Sequence, residues 1–180
     1  MRISAGQWPT TLVAVVGKGR NCPAEVYELA WQVGGFVGRR PDCLLITGGL
    51  GGAMAAAADG AREQGGRVLG LLPGKDNRST DVYPHLDIEL DTGLTAHGRN
   101  IVLANAASLV IAVPGSHGSW QETILAIDAE KPVIGVGDHS VRLPGVEYLD
   151  SVTELPRHLD RFVAARSSGV TAALASRQSR

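Results

Sequence analysis

Cysteine is scarce in this chain: Cys22 and Cys43 are the only two, and their spacing fits no metal-ligand motif. That argues against a zinc site or a disulfide framework and for a reducing compartment, the cytoplasm. Charge of one sign is also missing. The formal net charge is -1 and no basic run occurs, which argues against a nucleic-acid protein held by phosphate electrostatics. Long apolar runs are absent too. The longest, Ile101 to Val113, is interrupted by Asn105 and Ser108, too short and too polar for a membrane span. The opening residues MRISAGQWPT have no apolar stretch of the kind a secretory signal needs. No internal repeat is visible.

Glycine is abundant, with 23 residues in a chain of 180. Many stand at the ends of short apolar runs. Five such runs recur: Leu12–Val16, Leu44–Thr47, Val68–Leu72, Leu109–Val113 and Val133–Val136. None alternates cleanly with polar residues, the signature of strands covered on both faces. Between them lie segments with helical spacing. Val26, Leu29, Ala30, Val33 and Val37 follow Pro23, a residue suited to a first turn. Ala53 to Gln64 is Ala-rich and stops at Gly65-Gly66. Helices are also expected over roughly Thr95 to Asn105, along the Trp120, Ile124, Ile127 stripe, and along Val152, Leu155, Leu159, Phe162 and Val163. The alternation predicts a single-domain, Rossmann-like, doubly wound α/β fold over residues 1–166, with a mainly parallel sheet and helices on both faces. Residues 167–180 have little apolar bulk and are expected as a flexible tail.

In such a sheet, ligands bind beyond the carboxyl ends of the strands. Three strand-to-helix loops are glycine-rich there: Gly17-Lys18-Gly19-Arg20-Asn21, Gly48-Gly49-Leu50-Gly51-Gly52, and Pro114-Gly115-Ser116-His117-Gly118-Ser119. Glycine permits close backbone approach, and the following helix N-terminus favours anions. The dinucleotide fingerprint is not met, because Cys22 stands where its third glycine belongs and Ile46-Thr47-Gly48 closes the second strand without an acid. The Walker A pattern is absent as well. The loops therefore suit phosphate or another anion, and NAD or FAD is disfavoured.

Two side chains can be read in two ways. Arg99, in GLTAHGRN, stands near a helix start beside the expected site. There it either meets an anion or pairs at the surface with Asp91 or Glu89. Ser119-Trp-Gln-Glu122 reads as a capping box, with Ser119 as N-cap and Glu122 reaching back to it. It also reads as an acid at the rim of an anion loop. His97 and His117 are near the site, although lone loop histidines are more often solvated than functional. Two histidines without a third ligand make no metal site, and none is expected. Trp120 fits core packing through its spacing with Ile124 and Ile127, and Asp76-Asn77-Arg78 reads as a polar loop.

The run Pro114, Gly115, Ser116, His117, Gly118, Ser119 to Glu122, with Arg99 fifteen residues before the proline, resembles the LOG-type family. Its pattern is Pro-Gly-Gly-x-Gly-Thr-x-x-Glu, and it was formerly grouped with lysine decarboxylases in a superfamily that includes DprA-related proteins. Ser116 replaces the second glycine, Ser119 replaces threonine, and Asn100 stands where LOG enzymes continue with lysine. The stretches GGLGGAM, RVLGLLPG and GRN resemble the branch of molybdenum-cofactor carrier proteins. The resemblance implies a nucleotide or molybdenum cofactor as bound ligand, with no cofactor required. It implies Gly17, Lys18, Gly19, Gly48, Gly49, Gly51, Gly52, Arg99, Asn100, the 114–119 loop and Glu122 as ligand contacts. If the protein is an enzyme, it implies Arg99 and Glu122 as catalytic groups of a nucleoside 5′-monophosphate phosphoribohydrolase. It also implies a homo-oligomer, dimer or tetramer.

Overall fold

The computed structural model describes residues 11–77 and 82–178, with side chains from 167 onward outside the described ones. The expected N-terminal reading and Arg78 therefore fall outside the described residues. Among the described residues seven strands form: β1 (Thr11–Val16), β2 (Cys43–Thr47), β3 (Val68–Leu72), β4 (Ile88–Asp91), β5 (Leu109–Ala112), β6 (Val133–Val136) and β7 (Glu147–Leu149). They form one sheet in the order β4-β3-β2-β1-β5-β6-β7. Every neighbouring pair is parallel.

Five of these strands are the apolar runs of the sequence; β4 and β7 are additions. Both stand at sheet edges, where one side lacks a neighbouring strand. β4 is exposed along its whole length, and in β7 only Leu149 is buried. An edge strand without cover on both faces needs no continuous apolar run, so neither carried that signal.

The main helices are α1 (Ala24–Gly38), α2 (Ala53–Glu63), α3 (Ala96–Ala106), α4 (His117–Asp128) and α5 (Leu155–Gln178). The helical backbone of α5 thus runs on into the segment expected as a tail. Successive strand residues point to opposite faces. Val13, Val15, Leu45 and Ile111 pack with α1, α2 and α5 in one core layer. Ala14, Val16, Ile46 and Val110 pack with Leu103 and Ala104 of α3 and Ala126 of α4 in the other.

The contact between α1 and α2 is the tightest between helices. Gly34 lies against the backbone of Ala57, Gly38 against that of Ala61, and Gly60 against the Trp31 carbonyl. Side chains secure the same pair: Tyr27 Oη donates to Asp59 at 3.1 Å and Trp31 Nε1 to Glu63 at 3.2 Å. Because α1 follows the β1 loop and α2 follows the β2 loop, this packing sets how close the two loops stand.

Candidate functional site

Strand order reverses between β1 and β5, where Val16 pairs in register with Ala112. That is the switch point at which open α/β sheets bind ligands. The loops after β1, β2 and β5 meet there. The Ala53 N–H, at the start of α2, donates to the Lys18 carbonyl at 2.8 Å. Gly52 has φ +70, and a side chain there would run into the carbonyls of Lys18 and Gly19. Gly115 packs on Ser119 and lies close to the Gly17 backbone.

A hollow of about 200 Å³ opens between these loops and the first turns of α3 and α4. Gly17 and Gly19 line it from the β1 loop, and Met54 from α2. Ala96, His97, Arg99 and Asn100 line it from α3, and Ser116, Gly118, Ser119, Gln121 and Glu122 from α4 and its cap. At its floor Arg99 Nη1 donates to Glu122 Oε1 at 3.2 Å. Arg99 is 4% exposed and Glu122 7%. The guanidinium rests on Gly48, where any side chain would displace its two terminal nitrogens and Met54 Sδ. Among the described residues, Arg99 Nε has no hydrogen-bond partner.

Burial dominates the electrostatics of this pair. It pushes the Glu122 carboxyl up to about 7, with the Arg99 guanidinium pulling partly back. It pulls the Arg99 guanidinium down from its usual value, with Glu122 opposing. A guanidinium keeps its proton in practice. The floor is therefore a cation beside a neutral acid at low pH and an ion pair once Glu122 ionises.

The structure corrects two expectations. Arg99 is not at the surface with Asp91 or Glu89; its partner is Glu122. The N-cap of α4 is Ser116 and the third helical residue is Ser119. The Ser119 hydroxyl accepts from the Ser116 N–H at 2.8 Å and donates to the Ser116 carbonyl at 2.8 Å. The cap thus sits three residues earlier than the sequence pattern placed it, and Glu122 is free of that duty. Ser119, Glu122, Thr123 and Ala126 point inward, Trp120 and Ile127 are half-buried, and Ile124 is 45% exposed. Of the expected apolar stripe, Ile127 packs against the core and Ile124 faces outward.

Other expected residues are near the hollow without lining it. Lys18 is half-buried in the β1 loop, and Gly49 packs on Leu72. Gly51 is exposed with open space around it. Pro114 packs against Gly137 on the far side of its loop. His117 is exposed and meets Trp120 edge-on at 5.1 Å. Met54, Ala96 and Gln121 were not foreseen. Gln121 is a variable position of the glycine motif, so only its place beside Glu122 could have pointed to it. Wider hollows, of about 380 Å³ under α5 and about 530 Å³ beside α1, have no buried charged residue on their walls.

The sequence model of the SLOG cluster4 family matches residues 10–159. An uncharacterised protein of Archaeoglobus fulgidus is 35% identical over 121 residues, 67% of this chain and 76% of that protein. A cytokinin riboside 5′-monophosphate phosphoribohydrolase of Mycobacterium marinum is 31% identical over 119 residues, 66% of this chain but only 62% of that enzyme. Among solved structures, the molybdenum cofactor carrier protein of Chlamydomonas reinhardtii superposes with a TM-score of 0.73 at 27% identity, covering 86% of this chain and 98% of that one.

Proposed function

Because the chain belongs to the SLOG cluster4 family, of LOG and DprA-like type, we propose that it binds a phosphate-bearing small molecule of nucleotide or molybdopterin type in the hollow at the switch point. The observation that carries this reading is a buried guanidinium with an unpartnered Nε, set among three glycine loops. A cation so placed is costly without an anion near it. Glu122 supplies one charge, and a phosphate would supply the acceptors the guanidinium still lacks. Backbone N–H groups at the start of α4 would share the load. The hollow is smaller than the roughly 300–1,000 Å³ of complete small-molecule sites. It would hold the phosphate and sugar end, with the rest of the ligand on the open side. The likeness to the molybdenum cofactor carrier protein supports a binding role.

A second reading is hydrolysis of the N-glycosidic bond of a nucleoside 5′-monophosphate, as named for the mycobacterial relative. The observation favouring it is Glu122, whose carboxyl lies near 7 and so exchanges a proton at neutral pH. In that role the ionised carboxylate would stabilise the oxocarbenium-like transition state and then take a proton from the water attacking the sugar carbon. The base leaves with the bonding electron pair and is protonated to free base, so the proton Glu122 gains can pass to it or to solvent.

Both readings meet one experiment. AMP and, separately, molybdenum cofactor are added to the purified protein, and thermal melting and release of free adenine are followed. Binding at a hundredfold excess over Kd stabilises by about 2.7 kcal/mol. A shift with either ligand and no adenine supports a binding protein. Adenine release, lost in Glu122→Gln, supports the hydrolase. No shift and no release with any phosphate-bearing ligand removes both.

The expected homo-oligomer belongs to this reading too. Ile101 on α3 is 50% exposed and Ile124 on the adjoining α4 is 45% exposed, a cost that a second copy would offset. Sedimentation velocity should give a dimer or tetramer that Ile101→Glu with Ile124→Glu breaks into monomers. A wild-type monomer at micromolar concentration sinks the idea.

A further inference from the structure

His97, Gln121 and Asn100 form a polar chain ending on Glu122. Its proton positions follow from one fixed point. The Ala96 carbonyl can only accept, and it lies 3.1 Å from an Asn100 amide atom that is also 3.2 Å from Glu122 Oε1. That atom is the nitrogen, donating to both. The Asn100 oxygen then faces the Gln121 side chain at 3.0 Å, so Gln121 must turn its Nε2 there and donate. The same Gln121 atom lies 2.8 Å from His97 Nδ1. An amide nitrogen carries two hydrogens; one goes to Asn100 and the other to His97. His97 Nδ1 therefore accepts, and the proton of the neutral ring is on Nε2.

We propose that Asn100 and Gln121 are positioning residues that hold His97 as its Nε2–H tautomer, giving the hollow a neutral hydrogen-bond donor in addition to the Arg99 cation. His97 lines the hollow, and with Nδ1 occupied, Nε2 is the nitrogen left for a ligand. On the proposed function, which this step extends, that donor meets an oxygen acceptor of the phosphate-bearing ligand. The charged residues on the same walls are Arg99 and Glu122. The ionised form of Glu122 reinforces the chain, because it too accepts from Asn100.

The test needs no ligand. Long-range proton–nitrogen correlation on nitrogen-15-labelled histidine reads the tautomer of each neutral ring, with the His97 signal assigned by its loss in His97→Phe. Wild type is expected to show a bare Nδ1 and a protonated Nε2. Gln121→Glu, whose carboxylate only accepts, should draw the proton to Nδ1. Asn100→Ala removes the group that orients Gln121 and should give a mixture of tautomers. A proton on Nδ1 in wild type, or one tautomer unchanged across both variants, overturns the proposal. Failure of AMP and molybdenum cofactor to bind would overturn the functional reading and leave the tautomer of His97 as measured.

Discussion

Replacing Arg99 with methionine is expected to cost stability in a way that depends steeply on pH. Removing one member of a buried ion pair typically costs about 3–5 kcal/mol, because an uncompensated charge stays behind. Glu122 has a way around part of that cost, since its carboxyl, lifted by burial to about 7, can take up a proton. In wild type the unfolded carboxyl ionises near 4.5 while the folded one stays neutral. Stability therefore falls as pH rises from about 4.5, and the fall ends near 7, where Glu122 ionises against Arg99. In Arg99→Met nothing favours that ionisation, and the fall continues. Near pH 5 the carboxyl is neutral in both proteins and wild type holds a buried cation without its anion, so the variant should be at least as stable there. Between about that pH and about 8.5 the variant should lose on the order of 2 kcal/mol more than wild type. Glu122→Gln, with no carboxyl to titrate, should lack this fall, leaving only the opposite, rising contribution of half-buried His139, whose pKa is lowered by burial. Urea unfolding across the pH range measures all three proteins. A gap between wild type and Arg99→Met that is constant with pH would mean the two side chains are not electrostatically coupled. On the proposed function the same variant should bind AMP roughly thirty- to a thousandfold more weakly, the usual loss when a buried charged contact goes.

Much of the fold was legible because parallel strands buried on both faces cannot hide: β1, β2, β3, β5 and β6 are all continuous apolar runs. The edge strands β4 and β7 left no such trace. The site was legible as a set of loops but not as a set of contacts. Spacing placed Arg99 and Glu122 near one another without showing that they touch, since that depends on how α3 and α4 pack. The start of α4 was misplaced because Ser119-Trp-Gln-Glu122 matches a capping pattern, while Ser116 and Ser119, also three residues apart, close the cap one turn earlier. The inward side of the first turns is polar, Ser119, Glu122 and Thr123, and the helix reaches the apolar core through Ala126, with Leu125 and Ile127 beside it.

The glycines inside the helices carry a second feature that spacing alone does not show. Those at strand ends announce loops, whereas Gly34, Gly38 and Gly60 lie inside helices and owe their place to a partner helix that no local pattern reveals. Gly34→Val should therefore be among the most damaging single changes in the chain. A Cβ at Gly34 would overlap the Ala57 carbonyl and come within 2.7 Å of Ala57 Cα. Overpacking against side chains costs about 1–3 kcal/mol, because side chains can turn aside. Here the obstacle is backbone on both sides, so relief requires α1 to move away from α2. The loss should reach or exceed the upper end of that range, on the order of 3 kcal/mol or more, or abolish folding. Any folded remainder should also lose the site, because separating the two helices pulls Lys18 from Ala53 and opens the junction of the first two loops. Gly51→Ala is the control. It lies in the same set of glycines, has open space around it, and should change stability by no more than about 0.5 kcal/mol. Denaturant unfolding of both variants decides the matter, and a Gly34→Val protein within about 1 kcal/mol of wild type would show that the helix pair tolerates a separation its backbone contacts forbid.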